Sequence, residues 1–192
     1  EICACLVGSE MCIRDRIDGK PITASTTFTA EKAEGSVDIV FEFDASAIAG
    51  TTVVAFESME YKGIEVAVHA DIEDENQTVY IPDVHTTATA TDTEDHVTGA
   101  NKEVTITDEV ALTGLKVGNE YTVKGVLMNQ RTKKAVTVDG KEVTASTTFT
   151  AENRNGSVEV VFTFDATALE GTTTVVFETL YLSLIHISEP TR

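Results

Sequence analysis

GKPITASTTFTAEKAEGSVDIVFEFDASAIAGTTVVAFE, residues 19–57, returns without a gap as GKEVTASTTFTAENRNGSVEVVFTFDATALEGTTTVVFE, residues 140–178, an offset of 121 from position 19 to position 140. A repeat of this length marks a tandem array, and its internal texture decides the fold. SVDIVFEFDAS and SVEVVFTFDAT alternate apolar and polar residues, the pattern of a strand with one face on a core. TTVVAFES and TTTVVFET follow the short links AIAG and ALEG, where Gly50 and Gly171 let the chain turn. Outside the repeated block, EVTITDEVALTGL (103–115) and EYTVKGVLMNQ (120–130) read as a strand pair across KVGN, and Lys62-Gly63 makes a hairpin of MEYKGIEVAVHA.

Strands arriving every 10–15 residues or so with no helical period predict an all-β chain of tandem immunoglobulin-like β-sandwich modules. Residues 17–83 read as the C-terminal half of one repeat and 84–181 as the N-terminal three quarters of the next, so the first is truncated on its N-terminal side and the second on its C-terminal side. Composition agrees: 192 residues, three prolines, no tryptophan, and a predominance of valine and threonine that suits pleated strands. A formal charge of −18 repels polyanions, which argues against nucleic acid as a partner. No run approaches the ~18 apolar residues of a membrane span, so membrane insertion is not expected in this segment.

Two stretches do not share this texture. EICACLVGSEMCIRDR at the start and LSLIHISEPTR at the end lack the threonine-rich alternation and resemble translated sequencing-adapter sequence. Residues 1–16 and 182–192 are therefore read as non-native and outside the fold. All three cysteines, Cys3, Cys5 and Cys12, lie in the first of them, so the body of the chain has neither a disulfide framework nor a cysteine metal site.

Chemistry concentrates in HADIEDENQTVYIP, residues 69–82, where a histidine and a glutamine, His69 and Gln77, flank an acidic turn just ahead of a strand. Adding the repeat offset places their counterparts at 190, which is Pro190, and at 198, past the last residue of the sequence, so the second repeat has no copy of either.

HTTATATD, ITDEVALTGLKVGNEYTVKGVLMN, VTASTTFTAE, VVFTFDATALEG, the VAFE and VVFE tetrads and HADIEDENQT together resemble the T-Q ester-bond domains, or VaFE repeats, of Gram-positive surface-anchored proteins. The likeness spans residues 17–181 in the family's order. It implies a self-formed ester between a first-strand threonine and a last-strand glutamine, export, cell-wall attachment and a place in adhesins or pilus-like stalks. Carried over residue by residue, the acyl donor is Gln77 and the neighbouring histidine His69. The threonine is Thr86, with Thr87 as fallback, because adjacent strand residues face opposite ways. The acidic helpers fall on Glu57, on its copy Glu178, on Asp108 of ITDEV and on Asp74 in the acidic turn. Glu109 stands where the family usually has threonine. The chemistry is consistent: a hydroxyl needs a base, for which histidine is suited, and an amide needs a proton donor, which a glutamate kept neutral by burial supplies. Such a reaction happens once, so the chain is not read as an enzyme. No cofactor or metal is implied, and the partners are neighbouring repeats plus a host or surface ligand held by another domain.

Other readings compete. A passive immunoglobulin-like binding module would carry none of this chemistry. A Lys–Asn isopeptide domain would draw on Lys102, Lys124, Asn76 and Asn129. The acidic turn has hard oxygen ligands for calcium but lacks the required glycine pattern. His85 and His96 have no metal-ligand partner at a useful spacing and are expected in solvent.

Overall fold

The computed structural model describes residues 2–8, 16–17 and 20–183. They divide into two compact units, Glu1–Pro82 and Asp83–Arg192, joined directly where one strand ends at Ile81 and the next begins at Asp83.

In the first unit the strands are β1 (Ile2–Gly8), β2 (Arg16–Ile17), β3 (Lys20–Pro21), β4 (Thr23–Thr26), β5 (Thr51–Tyr61), β6 (Ile64–His69) and β7 (Thr78–Ile81). β1 lies between β4 and β5, while β6 and β7 share the other edge of β5 in succession. β5 and β6 form the expected hairpin: Lys62 and Gly63 both have positive φ, 52° and 78°, the twist a two-residue turn needs to match its strands.

The second unit holds β8 (Asp83–Ala90), β9 (Val104–Thr113), β10 (Glu120–Asn129), β11 (Lys134–Ala135), β12 (Thr137–Val138), β13 (Lys141–Glu142), β14 (Thr144–Thr150), β15 (Gly156–Phe164) and β16 (Thr174–Leu182). β15, β9 and β8 form one antiparallel sheet, and β14, β10 and β16 form another, with β11 on an end of β10. Their inner faces supply one apolar core: Val110 and Leu112 from β9, Val160 and Phe162 from β15, Val123 and Leu127 from β10. This is a β-sandwich, as the alternation predicts. One pairing differs from the expectation. β9 and β10 do not pair; the link through 114–119 carries the chain from one sheet to the other, because the apolar faces of both strands bury more completely opposite each other than side by side.

Two further differences arise in the first unit. Residues 35–43, the copy of β15, form no strand although the sequence is nearly the same. β15 is held by nine register pairs to β9, from Gly156 to Phe164, and no strand pairs with residues 35–43 among the described residues. Alternation alone supplies an apolar face but not the ladder partners a strand requires. Phe41 and Phe43 still pack against Ile22 and Val53. Conversely, Ile2–Gly8, read from sequence as lying outside the fold, is a strand. Ala4 stands opposite Ala24 and Glu57, as Gly125 stands opposite Ala145 and Glu178, each residue 121 positions from its counterpart. β1 therefore fills the slot that β10 fills in the second unit. The closing stretch read as non-native lies outside the described residues beyond Ser183.

Candidate functional site

In the first unit β5 carries Glu57, and His69 at the end of β6 stands directly opposite it. Gln77 sits beside Ala55, whose N–H donates to the Gln77 carbonyl at 3.0 Å. Cross-strand neighbours share a face, as do residues two apart on a strand, so Glu57, His69 and Gln77 lie on one side of the sheet.

The acidic turn between His69 and Gln77 exists to make this placement. Asp71 Oδ1 accepts the Glu73 N–H at 3.0 Å and Asp74 Oδ1 accepts the Asn76 N–H at 2.8 Å, two side-chain-capped turns in succession. The Gln77 N–H and the Thr78 hydroxyl both donate to the Asp74 carbonyl, at 3.1 and 2.8 Å. The other oxygen of Asp74 is left for the histidine: Oδ2 is 3.2 Å from His69 Nε2, while Glu57 Oε2 is 3.7 Å from Nδ1. The ring is thus bracketed by two carboxylates, each able to fix its orientation.

In the second unit β9 presents Ile106, Asp108, Val110 and Leu112 to the core, and Asp108 is completely buried, with 0% of its surface exposed. Thr86 is the register partner of Val110 and so faces inward, whereas Thr87 is opposite Glu109 and faces out. Across the sandwich Glu178 sits two residues beyond buried Val176 on β16, and the Thr86 hydroxyl hydrogen-bonds to its carboxylate. Thr86 also lines a cleft of about 870 Å³ between β8 and β16.

The two carboxyls face each other in the core. Burial foremost, then the hydrogen bond and negative charge of Asp108, push Glu178 from 4.5 up to about 8, while the Thr86 hydroxyl works in the opposite direction. Neither oxygen of Asp108 and not Oε1 of Glu178 has another donor. A proton held on Glu178 supplies the donor that Asp108 lacks.

Glu57 and Glu178 occupy the same repeat position. In the first unit that glutamate meets His69, which Asp74 also contacts, and in the second it meets Thr86 and Asp108. The two copies thus meet the repeated glutamate with different partners. Position 190, the offset image of His69, is outside the described residues. Residues proposed for other chemistry are placed elsewhere. The Lys124 ammonium lies 4.9 Å over the Tyr181 ring, and Asn129 Oδ1 caps the turn at Arg131 and Thr132. His85 pairs with Asp83 at 3.3 Å in solvent, and exposed His96 contacts the Ala88 carbonyl through Nδ1 at 2.9 Å. Sequence reasoning missed the cleft; the signal was the offset itself, which maps the edge of β5 covered by β7 onto residues 172–175.

The fold defines a class, tandem β-modules built on one repeat, in which the same glutamate position meets a histidine in one copy and a threonine and an aspartate in the other. The profile of the T-Q ester bond containing domain matches residues 12–81 and again 82–190, and the chain belongs to that family. No curated protein matches the chain. Among solved structures, a bacterial adhesin from Mobiluncus mulieris containing intramolecular disulfide, isopeptide and ester bond cross-links is similar in each of two crystal forms, at 21% identity and a TM-score of 0.43. The match takes in 53% of this chain and 44% of the adhesin's.

Proposed function

We propose that the chain is a run of structural modules from a stalk displayed on a Gram-positive cell wall, part of an adhesin or pilus-like protein, in which each module seals itself once through a threonine–glutamine ester. The observation that carries this reading is the shared glutamate position, touched by His69 in one copy and by Thr86 and Asp108 in the other. In a module holding both halves, the threonine Oγ1 attacks Cδ of the glutamine. Its proton passes to the carboxyl pair, which already lies against that hydroxyl. The proton held at the glutamate goes to the departing nitrogen, and ammonia leaves. Holding the reactants in a folded core replaces a chance encounter by a unimolecular step worth up to ~7–11 kcal/mol.

The test completes a module from this chain's own residues. Leu182 is the repeat counterpart of Tyr61, so residues 83–182 continued by 62–82 form one uninterrupted repeat. Intact mass is expected to fall by one ammonia, about 17 Da, and alkaline hydroxylamine to cleave the product. Thr86→Ala or Gln77→Ala keeps the encoded mass. An unmodified mass in the complete repeat after prolonged incubation overturns the reading.

A further inference from the structure

We propose that the loop entering β15 carries a self-modification site, Asn155-Gly156, at which the asparagine cyclises onto the main chain and is hydrolysed to aspartate and isoaspartate. The reaction consumes water alone and is independent of the ester reading.

The sequence has six asparagines, and only Asn155 is followed by glycine. A glycine N–H carries no side chain beside it to hinder approach to the preceding carboxamide, so the five-membered ring closes there more readily than ahead of any other residue. The structure adds three conditions. Asn155 and Gly156 are both exposed and line an open cleft of about 240 Å³, so water reaches them. Gly156, opposite Leu112, is the last register pair of the ladder between β15 and β9, where opening the backbone costs least. The Gly114 N–H donates to Asn155 Oδ1 at 3.2 Å, which polarises Cγ and sits where negative charge collects as that carbon becomes tetrahedral.

The bond formed is Gly156 N to Asn155 Cγ; the bond broken is Cγ to Nδ2, and the main-chain amide proton leaves with ammonia. Water then opens the ring. Attack at Cγ leaves aspartate in the normal backbone, whereas attack at the Asn155 main-chain carbonyl leaves isoaspartate, with the chain rerouted through the side chain and longer by one methylene. Either product adds one negative charge. Asn155 ties the start of β15 to the link 114–119, beside a second tie from the Leu115 N–H to the Arg154 carbonyl at 2.9 Å. Aspartate keeps an oxygen for the Gly114 N–H and makes that bond charge-assisted. Isoaspartate displaces the carboxylate and loosens the tie. In the first copy the same position is Glu34, which has no amide to lose, so the two copies age differently.

The experiment holds the full-length chain for days in warm, mildly alkaline buffer, after which a glutamyl-specific protease releases residues 153–159, NRNGSVE. The expected result is a gain of about 1 Da, ammonia lost and water taken up, shared between two products of equal mass that separate on chromatography. Fragmentation places the change at residue 155. Asn155→Asp supplies the standard that identifies the aspartate product. Gly156→Ala is expected to fold, since a Cβ there meets nothing within 4 Å, and to slow the conversion roughly tenfold or more. A 153–159 peptide that keeps its encoded mass overturns the proposal, as does equal conversion at Asn153 or an unchanged rate in Gly156→Ala.

Discussion

Glu178 is the residue on which the pH response of the second unit turns. Its carboxyl keeps its proton in the fold up to about 8 and loses it near 4.5 when freed. Between those values the folded state binds the extra proton, so stability is expected to fall as pH rises through the interval and to level off above it. Urea midpoints at its two ends measure this. Asp108→Asn removes the facing negative charge, flattens that pH slope and abolishes ester formation in the complete repeat, whereas a purely structural Asp108 would leave the mass change intact. Gly125 is the second sensitive position. A Cβ there would lie 2.5 Å from Phe162 Cζ, so Gly125→Ala must displace a ring that is itself buried. Overpacking of this kind costs about 1–3 kcal/mol, read as a lower denaturation midpoint at an unchanged slope. The inward face of Thr86 followed from alternation once a partner strand was known. That Asp108 would be wholly buried did not, because its neighbours Thr107 and Glu109 are polar and ITDEV alone does not say which face meets a core.

At the level of elements, local signals were legible and long-range pairing was not. Lys62-Gly63 announced its hairpin because a two-residue turn is specified by the residues inside it. Gly63, at φ 78°, is expected to cost about 1 kcal/mol when replaced by alanine, and Gly63→Ala in thermal unfolding checks it. Residues 35–43 and 156–164 make the converse point. Nearly the same sequence is a strand where β9 is present to pair with it and none where it is absent. Hydrogen exchange should therefore separate the copies, with amides of 158–162 protected roughly two orders of magnitude or more over their counterparts in 37–41. Ile2–Gly8 was unreadable for the same reason. Its composition differs from that of β10, yet the slot between β4 and β5 is defined by backbone ladders on both sides, which any strand-forming stretch can satisfy.

On the scale of the whole chain, the repeat carried most of what the sequence could say about the site. It made Glu57 and Glu178 one position, while the family resemblance set His69 and Gln77 beside it, but which partners each glutamate meets depends on which strands surround it. The junction between units has its own consequence. β7 ends at Ile81 and β8 begins at Asp83, with Pro82 alone between them. With modules sealed as proposed, tension along an array leaves one bead at its glutamine and enters the next at its threonine. The only peptide under strain is then the interval from Gln77 to Thr86, whose full reach is about 30 Å at ~3.3–3.6 Å per residue. Such an array would behave as a cable with a few nanometres of slack per link, and stretching sealed arrays should show that short take-up in place of the long steps of beads coming unravelled.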